Sequence, residues 1–210
     1  MEQRRFSISK LELARINPRD FGVHLRDDAE EPFNNRPKSV RWLDAVSTYH
    51  RNTSMSEAVN YLENSFSNRK QSKKNIAEVE TLVNSLYSYV SDHSNLNYNY
   101  FSHKHKMEIH LSEKLKITGW IWIVNKTSNG YSGYIVVNDT DSNNWHNQLR
   151  FPLIQNYIAK HIFNCTTDEV EVGIINYYEG KHHKITYSKK DIKEAKKELK
   201  FLGSEISSIL

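Results

Sequence analysis

The run ITGWIWIV at residues 117–124 is the sequence feature that most restricts the fold of this chain. It is nearly all apolar and rich in aromatic and β-branched residues, which is typical of a strand covered on both faces. A turn signal, TSNG, follows at residues 127–130, and a second apolar run, YSGYIVVN, occupies residues 131–138. The two runs therefore predict a hairpin near the centre of a sheet.

The hydrophobic spacing after residue 72 predicts the rest of the order. Apolar residues at helical spacing between Ile76 and Val90 indicate a long helix, and an alternating KMEIHL segment indicates a strand before the hairpin. A helical pattern at residues 145–163 follows, then two strands at residues 169–178 and 182–188, and a final helix. The sequence predicts an α/β (α+β) fold with a mixed central sheet flanked by helices.

The first third of the chain has the spacing of short helices. Helical patterns occupy residues 9–16, 39–51 and 54–66, and Pro18 interrupts or restarts the first of them. We therefore expect an N-terminal helical region at residues 1–70 and an α/β core at residues 71–210.

The hairpin and the helix after it resemble the core of the PD-(D/E)XK (restriction-endonuclease-like, RecB-type) nucleases over roughly the last half of the chain. Members of this superfamily hold a divalent metal with carboxylates at the bend of the hairpin. Gly119 and Ile121 match the second-strand pattern, but Trp122 stands in the place of the aspartate. In the next strand Val137 takes the place of the acid and Asp139 that of the lysine.

The resemblance therefore implies the fold without the standard metal site, because tryptophan and valine side chains do not bind Mg²⁺. We expect no catalytic residue, no metal and no cofactor. Displaced acids are the alternative: Asp139, Asp141 and Glu113 are weak candidates to restore a Mg²⁺ site, with Glu108 or the helical Glu78 and Glu80 nearby. Aspartates at strand ends more often shape turns.

Binding is the role that the remaining residues favour. The resemblance assigns Gln155 and Tyr157 of the following helix to the site, and Arg150 precedes them. Lys73 and Lys74 belong to a basic stretch, and further lysines occupy residues 189–200, so a surface for a phosphate backbone is predicted, although such charge runs are usually solvated.

Histidines and tryptophans offer further candidates. His103 and His105 would face one side of a strand, as a metal pair or as part of an exposed polar strand. His182 and His183 are expected to face solvent.

Trp120 and Trp122 share one face of their strand, and we expect them to pack in the core under a helix rather than to stack on bases.

Composition limits the remaining function classes. The formal net charge of +4 permits an acidic partner without demanding one. Cys165, the single cysteine, cannot form an intramolecular disulfide, and no run is apolar enough for a membrane span. We therefore expect a cytoplasmic protein.

The predicted function is a catalytically inactive nuclease-like domain that binds nucleic acid or protein within a nucleic-acid-processing or defence complex. By resemblance, its source would be a prokaryote or a phage. An active metal-dependent nuclease with displaced acids is one alternative. A purely structural or inhibitory protein-interaction domain is the other.

Overall fold

The computed structural model describes residues 3–27, 37–67, 72–138 and 142–210, where a six-stranded sheet has helices on both faces. The strands are β1 (Arg4–Ser7), β2 (Asn99–His110), β3 (Leu115–Thr127), β4 (Gly130–Val137), β5 (Val170–Asn176) and β6 (Lys181–Ile185). The helices are α1 (Leu11–Ile16), α2 (Pro18–Asp27), α3 (Lys38–Asn52), α4 (Met55–Ser65), α5 (Lys73–Asn95), α6 (Arg150–Tyr157) and α7 (Lys189–Ser207). A π-helical segment, Ile158–Phe163, continues α6.

The predicted fold class is confirmed, since the sheet is mixed and helices flank it. The predicted order after residue 72 is confirmed as well: α5 is followed by β2, β3 and β4, then α6, then β5 and β6, then α7. Pro18 restarts the chain as the first residue of α2. None of the described helices is both long enough and apolar enough to cross a lipid bilayer.

Strand β3 organises the sheet because it has partners on both edges. One edge pairs with β2 in antiparallel fashion along nearly its whole length. The other edge is divided: residues 115–118 pair with β1 in parallel, and residues 123–127 pair with β4 in antiparallel fashion. Strand β4 then pairs in parallel with β5, whose other neighbour is the antiparallel β6.

Strand β1 is an element that the sequence did not predict. It has four residues, of which Phe6 alone is buried, so it lacks the apolar pattern of a strand. After β1 the chain crosses over β3, where Ile8 packs on Gly119. A Cβ at Gly119 would come within 2.6 Å of Cγ2 of Ile8. This glycine therefore permits the close approach of the two segments.

Two hydrophobic cores lie on the two faces of the sheet. The first core joins one face to α1, α2, α6 and α7, and the second core joins the other face to α3, α4 and α5. Segments from residues 1–70 thus contribute to both cores, and the division at residues 70 and 71 stays a prediction. Helices α4 and α7 begin after Ser54 and Ser188, and each hydroxyl caps the amide three residues later.

The turn between β5 and β6 tests this packing. Gly180 has a φ of +69°, and a Cβ there would overlap the carbonyl oxygen of Ser85 on α5. We expect Gly180→Ala to lower the free energy of unfolding by about 2 kcal/mol or more, which is roughly 4–8 °C in Tm for a chain of this size. Glu179→Ala, at the exposed neighbouring position, is the control. Equal Tm values for the two variants in thermal denaturation would contradict the described turn.

Candidate functional site at the end of strand β4

The two central strands separate at the point where the resemblance locates an active site. The last pair between β3 and β4 is Ile123 with Tyr134. Beyond it β4 continues beside β5 to Val137, while residues 119–122 of β3 have no partner in β4. Trp122 and Val137, which the resemblance aligns with two carboxylates, therefore lie on either side of this fork.

A cavity of about 480 Å³ lies around the end of β4. Its lining comes from the start of α3 (residues 37–39), the end of β4 (residues 136–138), Ile174, Tyr177, Trp145, Gln148 and Arg150. The volume is in the range of small-molecule sites, and the carboxyl ends of the parallel strands β4 and β5 are a usual position for such sites in sheets with parallel strands. The described lining includes two cationic side chains and no carboxylate.

Arg150 gives the cavity its charge. The residue begins α6 and is half-buried, and its Nε is buried without a hydrogen-bond partner among the described residues. Burial lowers the pKa of Arg150, and the charge of Glu12 opposes this effect. The carboxylate of Glu12 already accepts hydrogen bonds from the Leu149 amide and from Arg15. A desolvated guanidinium with an unused donor favours an anionic ligand.

The cavity also contains a hydrogen-bond acceptor and an aromatic ring. Oε1 of Gln148 is buried and has no partner in the described part of the chain, so it is available to accept a hydrogen bond. The amino end of α6 is already occupied, since the Leu149 amide donates to the carboxylate of Glu12. Trp145 supplies an aromatic wall, which packs edge-on against Phe151 at 4.7 Å between ring centroids. The guanidinium group and the aromatic ring together suit an anion with an apolar portion.

Lys38 is a second cation in the lining that the sequence did not single out. Its ammonium group bonds the carboxylate of Glu78 on α5, and the Tyr178 hydroxyl lies 3.4 Å from the same carboxylate. Glu78 therefore acts as an ion-pair partner. Lys74 is four residues before Glu78 on α5, so it lies on the same face of the helix. Lys73 and Lys74 are both exposed in the first turn.

Gln155 does not lie where the resemblance predicts a contact with nucleic acid. Its side chain is fully buried, its amide nitrogen donates to the carbonyls of Thr167 and Tyr187, and its oxygen accepts from the Tyr187 amide. These bonds join α6 to the segments on either side of the β5–β6 hairpin. A contact with a ligand is therefore excluded, and Gln155 is structural.

The remaining predicted residues are spread over the fold. Tyr157 is half-buried over β2 with its hydroxyl 3.4 Å from the Lys106 carbonyl, and Glu113 is exposed in the turn between β2 and β3. Neither lies among the described residues of the cavity lining. Asp139 and Asp141 lie outside the described residues. Within the described ranges, no three His, Cys, Asp or Glu side chains are grouped closely enough to hold a metal ion.

His103 and His105 face opposite sides of the sheet, contrary to the prediction of a shared face. Lys104 between them has a φ of +52°, which breaks the alternation of the strand. His103 therefore contacts Ser47 of α3, with Nδ1 3.2 Å from the hydroxyl, while the ring of His105 lies near Tyr157 of α6. They cannot bind one metal as a pair.

The tryptophan prediction is wrong for Trp120, which is 44% exposed instead of buried under a helix. Trp122 is partly buried and packs against both cores. The two rings stack with centroids 6.1 Å apart. In β3, Ile121 belongs to the first core and Ile123 to the second, so the alternation of faces slips by one residue at Trp122.

His182 was predicted to face solvent, and this is wrong. Its side chain is fully buried, because the β5–β6 hairpin packs under α5. The ring Nδ1 and the backbone amide of His182 both donate to Oδ2 of Asp92, at 2.8 and 3.0 Å. The ring Nε2 is buried and has no partner among the described residues. His183, one residue later, is exposed as predicted.

Two more histidines share this interior site. The ring of His50 stacks on Tyr100 with centroids 4.0 Å apart, and its Nε2 is 3.0 Å from the Tyr89 hydroxyl. His93 lies 4.6 Å from His50, ring to ring, and 6.0 Å from His182. We call His50, His93 and His182 the histidine cluster. Tyr89 and His93 are four residues apart on α5 and therefore lie on the same face of the helix. This spacing is the sequence signal that could have placed the two side chains together.

Burial keeps the histidine cluster neutral. It lowers the pKa of His50 to about 3, with the charges of the other two histidines acting in the same direction. It also lowers the pKa of His93, where the hydrogen bond to Asn125 opposes the effect. For His182 burial lowers the pKa to about 4 although Asp92 favours the charged ring. The cluster is thus a structural feature that protonation would disrupt.

Neither the models of known protein families nor the curated protein sequences match this chain.

The histidine cluster predicts loss of stability in mild acid. Above pH 6.5 the rings are neutral in both states; below it the unfolded chain binds protons that the folded chain takes up only near pH 4 at His182 or pH 3 at His50. The free energy of unfolding should fall between pH 6.5 and pH 4, by up to about 1.4 kcal/mol per pH unit for each histidine.

Urea denaturation at several pH values measures this slope. His50→Gln should reduce the pH slope by the contribution of about one proton, because glutamine does not titrate. Glutamine can still form a hydrogen bond with the Tyr89 hydroxyl. His183→Gln, on the exposed side of the same hairpin as His182, is the control. A slope that is the same in wild type and His50→Gln would contradict the burial of this ring.

Proposed function

We propose that this chain is a nucleic-acid-binding domain that does not cleave its ligand, and that it acts as a subunit of a larger nucleic-acid-processing or defence complex. The proposal includes a cytoplasmic location, where Cys165 stays reduced. The observation that carries it is Arg150, which supplies a half-buried guanidinium with a buried, unpaired Nε at the fork of β3 and β4.

The fork supports binding rather than metal catalysis. A two-carboxylate metal site would need acids at the positions of Trp122 and Val137, and both side chains are apolar. The described lining of the adjacent cavity attracts an anion through Arg150, while its other cation, Lys38, is paired with Glu78. In a nucleic acid the anionic group is the phosphate, which a guanidinium group can bind through two parallel hydrogen bonds.

The arrangement of elements also supports the resemblance. A helix, an antiparallel three-strand unit, a helix and a parallel fourth strand follow in the order that the restriction-endonuclease-like core implies. Within that arrangement, the resemblance puts the acid and lysine positions of the active site at the end of β4. We propose that this position is the ligand site of the present chain, without the metal chemistry.

Arg150→Gln tests the proposed contact. We expect the affinity for a short DNA or RNA oligonucleotide at low salt to fall about tenfold, since a charge-assisted hydrogen bond to phosphate is lost. The slope of log affinity against log salt should decrease by about one. Lys160→Gln, an exposed cation on the helical segment after α6, is the matched control. Equal losses in both variants would indicate diffuse charge and contradict a site at Arg150.

A cleavage assay tests the other half of the proposal. With Mg²⁺ or Mn²⁺ and with single- or double-stranded DNA, we expect intact substrate. Metal-dependent cleavage that disappears in Asp139→Ala or Asp141→Ala would contradict the proposal and establish the alternative of displaced acids. Calorimetric titration with the same two metals gives an independent measurement, with no binding heat expected.

A further inference from the structure

We propose that the ligand is a single strand of nucleic acid and that one of its bases stacks on Trp120. This inference rests on the proposed function and specifies the substrate class of the same region. The surface concerned is the part of the sheet opposite the first core. We call it the basic sheet face, and it consists of Arg5 on β1, Lys106 and Glu108 on β2, and Lys116 and Trp120 on β3.

Strand register assigns these residues to one face. Lys106 pairs directly with Trp120, and directly opposed residues of an antiparallel pair share a face. Arg5 pairs with Lys116. The side chain of Glu108 joins the group, since its carboxylate lies 2.6 Å from Nζ of Lys106 and 3.5 Å from Nζ of Lys116.

The residues on the reverse side of the same strands are buried. Met107 and Ile117 are fully buried in the first core, and Phe6 nearly so. This side is therefore committed to packing, and the basic sheet face is the side of these strands that remains for a partner.

The described helices leave the basic sheet face partly open. Helix α3 reaches it at Lys104, which pairs with Asp44, and at His103. Two residues further along β2, the side chain of Lys106 is 58% exposed, and Trp120 opposite it is 44% exposed. An indole ring that is this exposed and lies among cationic side chains is not part of the core. It suits a surface that contacts a partner.

Trp122 makes Trp120 a rigid platform. The partly buried ring of Trp122 stacks against that of Trp120 at an interplanar angle of 27°. The exposed indole is thereby held in one orientation, which reduces the entropy cost of stacking a ligand on it. Bases stack on such rings in single-strand-binding proteins, independently of base identity.

The charges of the basic sheet face specify the partner. Among the described residues of this face, Lys106 and Lys116 share the carboxylate of Glu108, so the two lysines carry more positive charge than this carboxylate neutralises. This balance favours a polyanion over an acidic or neutral protein surface. An unpaired base is required to stack on Trp120, and a duplex keeps its bases stacked on one another, so a single strand fits better.

Trp120 and Val137 lie at similar depths along the fork. Trp120 is three residues from Ile123 along β3, and Val137 is three residues from Tyr134 along β4. Each is thus about 10 Å from the last pair of the fork, at 3.3 Å per residue. Because Arg150 lies toward the other face of the sheet, a strand that stacks a base on Trp120 and presents a phosphate to Arg150 has to pass around the open end of the fork.

The test measures binding of a fluorescently labelled dT15 oligonucleotide and of the matched duplex to the full chain. We expect the single strand to bind more tightly than the duplex and to quench tryptophan fluorescence. Trp120→Ala should weaken binding of the single strand roughly tenfold. Trp120→Phe, which keeps an aromatic ring at this position, should retain most of the wild-type affinity. Phe201→Ala, an exposed aromatic residue of α7, is the control.

The Lys106→Gln variant adds a readout that does not depend on replacing an aromatic ring. It should reduce the salt slope for the single strand by about one. Thermal denaturation of every variant accompanies the binding data, so that a loss in Trp120→Ala can be assigned to binding.

The outcomes separate this inference from the proposed function. Binding that weakens in Arg150→Gln but is unchanged in Trp120→Ala and Lys106→Gln would overturn the inference and leave the proposed function standing. Tighter binding of the duplex would overturn the inference in the same way. The lack of any binding at low salt, to either DNA or to the RNA counterpart rU15, would overturn both.

Discussion

The division of one edge of β3 between two partners is the constraint on which the rest of the structure depends. Strand β1 occupies residues 115–118 of this edge and β4 occupies residues 123–127, so the four residues between them have neither neighbour. The fork allows Ile8 to cross at Gly119 and gives Trp122 a position between the two cores. It also leaves room at the end of β4 for the cavity.

The two faces of the sheet present different groups at the fork. Toward α6, the chain brings Arg150 and Gln148 to the cavity, where Nε of Arg150 and Oε1 of Gln148 have no partner among the described residues. On the opposite face, the helices α3 to α5 cover β4 and β5 but leave Trp120 exposed on β3. Apolar side chains at Trp122 and Val137 separate these regions. A metal site at this point would need carboxylates there, and the fork instead presents cations and an aromatic ring.

Local patterns in the sequence were sufficient for much of the fold. The apolar runs of β3 and β4 and the helical spacing of α5 are strong periodic signals, and capping residues such as Ser188 determine helix starts from short-range chemistry. Strand β1 was missed because it exists through its pairing with β3, which lies more than a hundred residues away in the chain. Its own four residues contain one buried side chain.

The site residues depended more strongly on tertiary contacts. Arg150 was predicted from its charge and position, and the structure adds the cavity. Gln155 was assigned by resemblance, but the backbone groups of Thr167 and Tyr187 bond both its amide nitrogen and its oxygen. His182 looks like a turn residue in the sequence, and only the packing of α5 buries it beside Asp92. A single positive φ at Lys104 was enough to turn His103 and His105 apart.

Four indole groups report directly on the central claim that a ligand binds at the fork. Trp145 lines the cavity, Trp120 lies on the basic sheet face, Trp122 lies between the two cores, and Trp42 is fully buried with its indole N–H bonded to Ser85. The decisive measurement is a titration of the ¹⁵N-labelled protein with dT15, following the indole N–H resonances. We expect the indole resonances of Trp145 and Trp120 to shift and that of Trp42 to stay unchanged. Saturable binding that leaves Trp145 and Trp120 unchanged would contradict a ligand site at the fork.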